Sequence, residues 1–570
     1  MKKIEITDFN FSYPGGKPVL RDINLEIGHG FFGLIGPSGC GKSTLCLALN
    51  GLIPHEITGI KTGKVVVCGM DTEKYHTREM ARYVGMVFQN PESQLFSLCA
   101  EDEIAFGPGN FGVSWSEIKR RVAMAIKKLK MEHLQNKSPE QMSSGEQQKT
   151  AIAAALAMHP ASEEDDLPIL EKEKLVIAAA MALDPDVLVL DEPTANLDPR
   201  SAEKIFLILK KISKEKIVFL VSHNISQIFR YADTVAVMDR GAIVMCGAPA
   251  DILNSEKLLD YLDLPAISEL SNELRLKPVA LIAEDIAPKI KFTKEVQFKS
   301  KIVSRKNPIV KVDDIDFEYV KGVPILQDIN LEISRGEFLA IVGNNGSGKS
   351  TLALNMIGIL KPQRGNIFIN GKNTRKEKIS DLVQSIGYAF QNPDLQIFED
   401  TLRQEVAFGL KNLRLPFNEI TQKTSDALNY VGLGEYADSD PFSLSLGQKR
   451  RLTIASILAM GPKIIILDEP TTGIDDRVVK SLMKLIVRLN REGHTVINMI
   501  THNMDLTARY AKRVVVLSGG RIISDGPVRK IFAQSDILEK ANLMRPEINR
   551  LGHMLGNSEV LTTEDVLELL

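Results

Sequence analysis

Gly36-Pro37-Ser38-Gly39-Cys40-Gly41-Lys42-Ser43-Thr44 follows the apolar run Phe31-Phe32-Gly33-Leu34-Ile35. The same arrangement returns as Gly343-Asn344-Asn345-Gly346-Ser347-Gly348-Lys349-Ser350-Thr351, after Phe338-Leu339-Ala340-Ile341-Val342. Both stretches fit G-x-x-x-x-G-K-[ST] between a buried strand and a helix. Glycines let backbone N–H groups turn inward around phosphate oxygens, and the following helix adds the positive end of its dipole. Gly36, Gly39 and Gly41, and Gly343, Gly346 and Gly348, thus shape two phosphate loops. Lys42 and Lys349 reach the β- and γ-phosphates; Ser43 and Ser350 offer a hydroxyl to Mg2+, with Thr44 and Thr351 beside them. A chance glycine-rich turn does not recur twice at corresponding places in the required context.

Outward from these loops, the chain is one unit written twice. Tyr13-Pro14, followed by Val19-Leu20-Arg21-Asp22-Ile23-Asn24-Leu25-Glu26-Ile27, recurs as Tyr319 followed by Ile325-Leu326-Gln327-Asp328-Ile329-Asn330-Leu331-Glu332-Ile333. Gln89 maps to Gln391, Gly145 to Gly447, Asp191-Glu192-Pro193 to Asp468-Glu469-Pro470, and His223 to His502. A period of half the chain means two homologous domains rather than a solenoid. We divide the sequence into a first domain over 1–252, a helical element over 253–288, a linker over 289–308, a second domain over 309–535 and a matching helical element over 536–570. The helical elements are read from Pro265-Ala266-Ile267 with Leu270 and Leu274, and Pro546-Glu547-Ile548 with Leu551 and Leu555. Apolar residues at these spacings make a small amphipathic helix. The Lys-rich stretch between the halves reads as a solvated connector.

An acidic pair ends a second apolar strand in each half: Val187-Leu188-Val189-Leu190 runs into Asp191-Glu192, and Ile464-Ile465-Ile466-Leu467 into Asp468-Glu469. Loops at the carboxyl ends of parallel strands converge on the ligand crevice. Asp191 and Asp468 are expected to hold Mg2+ through water, and Glu192 and Glu469 to polarise the attacking water. A general base contributes about 10²–10⁴-fold.

The two halves fall out of register once. The offset is 302 at Gly145 and Gly447 but 277 at Asp191 and Asp468, so the first half carries 25 extra residues. The Ala-rich stretch 146–160 resembles 171–185, and both compositions favour helix. Either copy could pack in the signature position; the second would put Pro168-Ile169-Leu170 in the signature's place, so we place the insertion at about 161–185, with the first copy in the working position.

Of 570 residues, 70 are Lys or Arg and 72 Asp or Glu, a net charge of -2. That balance speaks against a strongly basic face built to grip nucleic acid. No apolar run approaches the ~18–20 residues that cross a bilayer. The start, Met1-Lys2-Lys3-Ile4-Glu5-Ile6, shows no apolar core of a secretory signal. The 5 cysteines contain no C-x-x-C pair, which suits a reducing compartment. Cys40, inside a phosphate loop, reads as inert packing. Any membrane role must come through a partner chain.

With these motifs in place, the sequence resembles the ATPase of an ABC transporter over nearly its whole length. The fold implied is α/β: two tandem P-loop NTPase domains, each with a helical signature subdomain and a small C-terminal helical element. Met142-Ser143-Ser144-Gly145-Glu146 and Leu444-Ser445-Leu446-Gly447-Gln448 are similar to the family's LSGGQ signature, with Ser144 and Leu446 in place of one glycine. The resemblance makes Gln89 and Gln391 the Q-loop residues, which also touch the metal. Asn196-Leu197-Asp198 and Gly473-Ile474-Asp475 become the D-loops, and His223 and His502 the switch histidines. Tyr13 and Tyr319 become the aromatics that stack on adenine. ATP and Mg2+ are the implied cofactors. The two halves would close head to tail, Lys42 facing Ser445 and Gly447 while Lys349 faces Ser143 and Gly145. The insertion beside the first signature makes the Lys349 pocket the expected weaker one.

A narrower likeness follows each Q-loop. Gln89-Asn90-Pro91-Glu92-Ser93-Gln94-Leu95-Phe96 and Gln391-Asn392-Pro393-Asp394-Leu395-Gln396-Ile397-Phe398 are similar to the QNPxxQ(L/I)F segment of energy-coupling factor ATPases, importers of vitamins or of cobalt and nickel ions. The likeness implies an integral membrane coupling subunit docked near Gln94, Leu95, Phe96, Gln396, Ile397 and Phe398. It also implies a membrane substrate-binding subunit, a peripheral place on the cytoplasmic face of the cell membrane, and no nucleic-acid partner. The rival is a soluble twin-ABC ATPase acting on ribosomes or nucleic acid. Such relatives carry an iron–sulfur cysteine cluster or a long charged arm, which this sequence lacks.

Overall fold

Strands with unbroken apolar sequence, Val187–Asp191, Ile217–Val221, Phe338–Val342 and Ile464–Asp468, are buried along their whole length and lie inside the large sheet of each half. The computed structural model describes residues 3–88, 100–110, 112, 114–128, 185–194, 199–294, 296, 298, 308–344, 346–493, 496–501 and 503–570. Two compact units divide the chain, Met1–Leu264 and Pro265–Leu570.

In the first unit, β1 (Ile4–Ser12), β2 (Pro18–Ile27), β4 (Ile60–Val67) and β5 (Met70–Asp71) form an antiparallel sheet in the order β2-β1-β4-β5. The second sheet has six strands. They are β3 (Gly30–Ile35), β6 (Val84–Val87), β7 (Val187–Asp191), β8 (Ile217–Val221), β9 (Thr234–Asp239) and β10 (Ala242–Gly247), in the order β10-β9-β3-β8-β7-β6. All neighbours in it run parallel except β9 and β10.

The second unit repeats this plan. Its antiparallel sheet is β12-β11-β14-β15, from β11 (Val310–Val320), β12 (Val323–Ile333), β14 (Arg364–Ile369) and β15 (Lys372–Asn373). Its six-stranded sheet is β16-β17-β18-β13-β19-β20. Those strands are β13 (Phe338–Val342), β16 (Ile386–Ala389), β17 (Ile464–Asp468), β18 (Val496–Thr501), β19 (Arg513–Ser518) and β20 (Arg521–Pro527).

The repeated D-I-N-L-E-I segment explains itself here. β1 buries Ile4 and Ile6, then Phe9 and Phe11, so the inward alternation skips a residue at Asp8, where the pairing register shifts and φ is 46°. This is a β-bulge. The amide of Asp8 donates to Asn24 Oδ1 at 3.0 Å. In β11 the skip falls at Asp314, with φ 51°, and its amide donates to Asn330 Oδ1 at 3.0 Å. The repeated Asn is thus a bulge clamp rather than a ligand residue.

A separate helical core lies in the second unit. Helices Leu402–Asn412, Phe417–Tyr430 and Leu446–Ala459 pack Leu402, Val406, Leu410, Leu428, Leu452 and Ala455 together with Asp476–Arg491. The corresponding stretch of the first half is described only at Ala100–Asn110 and Trp115–Lys128. The insertion and both Ala-rich copies, 146–160 and 171–185, lie outside the described residues.

The helices Ala266–Glu273 and Glu547–Met554 form where the apolar spacing places them, each entered from a proline. Ile267, Leu270, Ala283 and Ile286 share one core with Ile548, Leu551, Val560 and Val566, all within the second unit. The amide of Ala283 donates to Glu547 Oε2 at 2.7 Å, and Lys480 pairs with Glu269 at 2.8 Å. The connector expected over 289–308 is more than a solvated linker. Ile290, Phe292, Val296 and Phe298 pack against this same core, Thr293 N donates to Leu569 O at 2.9 Å, and Arg529 lies 4.2 Å over the Phe298 ring. Ile290, Phe292, Val296 and Phe298 fall at even spacings with Lys291 and Lys294 among the polar residues between them, a pattern that a helical periodicity search passes over.

Candidate active site

Sheet register brings the motifs to one level. In the first unit Leu34 and Asp191 both stand opposite Val221 of the intervening β8. The phosphate loop after β3, the acidic pair ending β7 and His223 after β8 therefore emerge side by side at one sheet edge. The second unit has the same register, Ile341 and Asp468 both opposite Ile500.

Each phosphate loop is shaped by glycine. Gly41 has φ 109° and Gly348 φ 100°, and each precedes the first residue of a helix, Lys42–Leu49 and Lys349–Met356. A Cβ on Gly36 would lie 2.2 Å from Met238 O, and one on Gly343 2.2 Å from Leu517 O. Neither helix carries an acidic residue in its first turn or a side-chain cap, so the first N–H groups keep their positive end for an anion. Lys42 Nζ donates to Gly36 O at 2.8 Å and Pro37 O at 2.9 Å; Lys349 Nζ donates to Gly343 O at 2.9 Å and Asn344 O at 3.0 Å. Phosphate oxygens offer these buried ammonium groups charge-assisted bonds about twice as strong as those to carbonyls. Tyr13 and Tyr319 reach Thr44 and Thr351 through their hydroxyls, at 3.2 and 3.4 Å, and Phe11 and Phe317 meet their rings edge-on.

The carboxylates are buried beside these lysines. Among the described residues, Asp191 Oδ1 and Asp468 Oδ1 have no hydrogen-bond partner. Burial raises the pKa of both groups, against the hydrogen bond of Ser43 on Asp191, those of Tyr388 and Ser350 on Asp468, and the charges of Lys42 and Lys349. A buried carboxylate oxygen without a donor beside a serine hydroxyl fits a hard divalent cation. Ser43 with Asp191, and Ser350 with Asp468, are the residues that would hold Mg2+. When bound, the cation neutralises charge on the β- and γ-phosphates.

Glu192 and Glu469 occupy the left-handed region, at φ 50° and 44°. Sparsely populated backbone of this kind persists where surrounding structure over-determines it. Glu192 N donates to Val221 O at 3.0 Å, His223 N donates to Glu192 Oε2 at 3.2 Å, and His223 Nε2 stands 3.3 Å from Oε1. Burial drives the Glu192 carboxyl up to about 8; Lys42 pulls it down, Asp191 pushes it up, and the His223 amide pulls it down.

This shift predicts a pH signature in the metal-free chain. The folded state holds the Glu192 proton more tightly than the unfolded state. That stabilisation is complete below the ordinary carboxylate pKa of ~4.3 and is lost as pH rises through about 8. Glu192→Gln removes the loss. Its Tm by calorimetry should match the parent near about pH 5 and exceed it near about pH 9, by up to about 5 kcal/mol of stability. A difference that does not change with pH would place the parent's proton elsewhere.

The signature of the second half caps its own helix. Ser445 Oγ accepts from Gln448 N at 3.4 Å, and Ser445 N donates to Gln448 Oε1 at 3.0 Å. Gly447 has no room for a side chain: a Cβ would sit 2.5 Å from Val478 Cγ1. Leu446, in place of the signature glycine, packs beside the helical core.

A family model described as ABC transporter matches residues 20–162 and 326–472. The chain belongs to this family. A Methanosarcina mazei chain named as an ABC transporter ATP-binding protein is 38% identical over 96% of this chain and 93% of its own length. One from Caldanaerobacter subterraneus subsp. tengcongensis is 36% identical over 99% and 98%. Among solved structures, cbiO1 from Clostridium perfringens, described as part of the ABC transporter complex cbiONQ, is 41% identical. It covers 44% of this chain and 99% of its own, with a TM-score of 0.39.

Several expected site residues of this ABC protein lie outside the described residues: Gln89, Gln94, Leu95, Phe96, Ser143, Gly145, Asn196, Leu197, Asp198 and His502. Gln391 is exposed just beyond β16. Ile397, expected in a docking groove, is 3% exposed and packs in the helical core, whereas Leu395 and Phe398 are 75% and 57% exposed. The chain turns through a short 3-10 helix at Pro393–Leu395, and Ile397 N donates to Pro393 O at 3.2 Å, so the turn carries Ile397 inward and only part of the QIF run can reach a partner. Cys40 is buried, its Sγ 4.0 Å from Lys42 Nζ, and burial raises its pKa, which suits inert packing.

Sequence reasoning passed over two residues. Tyr388 donates its hydroxyl to Asp468 Oδ2 at 2.6 Å. Arg450, buried in the signature helix, donates to Thr472 O at 3.2 Å, and burial lowers its pKa to about 10 against the pull of Glu469 and Asp468. Neither belongs to a motif. Strand register announces Tyr388 only once β16 and β17 are known to be neighbours. Among the described residues, no helix is long and apolar enough to cross a membrane.

Proposed function

We propose that this chain hydrolyses ATP to power solute uptake through a separate membrane complex of the energy-coupling factor type. The solute class is a vitamin or a transition-metal ion. The site roles are those of the motifs. Lys42 and Lys349 bind the β- and γ-phosphates, Ser43, Asp191, Gln89 and Ser350, Asp468, Gln391 serve the cation, and Tyr13 and Tyr319 carry adenine. Glu192 and Glu469 take the proton of the attacking water on a carboxylate oxygen, oriented by His223 and His502. Each pocket is completed by the other half's signature, Ser445 and Gly447 for the first and Ser143 and Gly145 for the second.

The observation that carries the transport reading is the QNPxxQ-[LI]-F segment written after both Q-loops. In the second half it supports docking through exposed Leu395 and Phe398. The segment is tied to the signature helix by Lys449, 2.7 Å from Asp394 and 5.7 Å from the Phe442 ring centre. Movement at the docking face thus has a direct route to the helix that would cover the γ-phosphate.

The test is purification of the tagged chain from its own membranes in detergent. We expect small integral membrane proteins to accompany it, and Phe398→Asp with Leu395→Asp to release them while nucleotide binding is retained. Co-sedimentation with ribosomes and no membrane partner would turn the reading to the soluble twin-ABC class.

A further inference from the structure

The two halves differ at one buried position next to the cation-binding carboxylate. β16 and β17 pair in parallel with Tyr388 opposite Ile466. Asp468 stands two residues beyond Ile466, on the same face of the sheet. The phenol crosses from one strand to the next and donates to Asp468 Oδ2 at 2.6 Å. Tyr388 is 9% exposed and Asp468 3%, so water does not compete for this bond. Phe390 meets the Tyr388 ring edge-on at 4.9 Å and fixes its orientation. Among the described residues, Asp468 Oδ1 is left without a hydrogen-bond partner.

The first half builds the same scaffold with another residue. β6 and β7 pair with Met86 opposite Val189, and Asp191 stands two residues beyond. Met86 therefore holds the place of Tyr388. A thioether has no proton to donate, so no side chain at this position can pin Asp191. Met86 instead packs against the apolar core of its unit.

Two effects compete in the second half. A hydrogen bond draws charge from the carboxylate, which weakens it as a ligand; it also fixes the rotamer, which removes the ordering cost of binding. Partners that orient a metal ligand generally favour binding, and their loss costs about 10–100-fold in affinity.

We propose that Tyr388 is a positioning residue for the divalent cation of the second pocket alone. Its hydroxyl holds Asp468 Oδ2 so that Oδ1 is the oxygen turned to the cation and its waters. The two pockets then differ in cation affinity, the second being the tighter. This rests on the assignment of Asp468 as a cation residue.

Mn2+, whose paramagnetic resonance reports the bound ion directly, is the probe. The full chain carries Lys42→Ala to silence the first loop, and a non-hydrolysable ATP analogue is present throughout. Tyr388→Phe, which removes one oxygen, should weaken Mn2+ binding about 10-fold. Tyr388→Met, which writes the first half's residue into the second, should do the same. Asp468→Asn should abolish binding. Unchanged affinity in both Tyr388 variants, with binding lost in Asp468→Asn, overturns the proposal and leaves the pocket assignment standing. A loss confined to Tyr388→Met marks an effect of side-chain shape and overturns it too. Full Mn2+ binding by Asp468→Asn would remove the assignment itself.

Discussion

Exchange of Glu192 and Glu469 together for glutamine should leave a chain that binds ATP and scarcely turns it over, with steady-state hydrolysis lower by about 10²–10⁴-fold. Glutamine keeps the length and one oxygen of the carboxylate but cannot accept the proton of the attacking water. The phosphate loops, where Lys42 and Lys349 sit, are untouched by the change, so affinity for the nucleotide is retained. The positions themselves argue for a demanding role. Both carboxylates are nearly buried, at 6% exposure, and both residues hold a positive φ that favours glycine. Burial and backbone strain together are costly for a residue that only fills space. Phosphate release and retention of labelled ATP, followed in the same preparation, check the prediction. A loss of less than about tenfold would take both carboxylates out of the role of general base.

How much of this was legible beforehand follows from the range of the interactions. The phosphate loops, the acidic pairs and the strands before them are local patterns. Gly36, Lys42, Asp191 and their counterparts could be placed because each strand brings its own loop to the carboxyl edge. The bulges at Asp8 and Asp314 were not legible. One skipped residue reverses which side chains face the core, and only the neighbouring Asn24 and Asn330 satisfy the freed amides. Tyr388 is separated from Asp468 by 80 residues, and nothing local marks it as a partner. The inward place of Ile397 is not legible either, because an apolar residue beside a docking motif looks the same whether it faces in or out. The packing of Ile290, Phe292, Val296 and Phe298 against the C-terminal core is not legible because the polar residues between them, Lys291 and Lys294 among these, lower the average hydropathy.

Lys42→Ala and Lys349→Ala should not be equivalent. In the structure the two ammonium groups are nearly interchangeable. Each is buried, each donates to two carbonyls of its own loop, and each lies beside an acidic pair. A difference in their effect on turnover therefore does not come from the ammonium groups themselves, and what closes over the phosphates is its main source. On the head-to-tail pairing proposed above, Lys42 is closed by Ser445 and Gly447. That signature is continuous with its helix, capped by Ser445 and Gln448 and packed too tightly at Gly447 to admit a side chain. Lys349 is closed by Ser143 and Gly145, whose Ala-rich continuation is written twice. Loss of a preorganised group that stabilises developing charge costs about 10²–10³-fold where the pocket turns over. Lys42→Ala should therefore abolish most steady-state hydrolysis, and Lys349→Ala should lower it by less than about tenfold. The tighter cation site assigned to the second pocket fits the same division, with one pocket that turns over and one that holds its nucleotide. Single-turnover hydrolysis and nucleotide retention in the two variants separate these roles. A larger fall in Lys349→Ala than in Lys42→Ala would reverse the division and make the pocket beside the duplicated helix the working one.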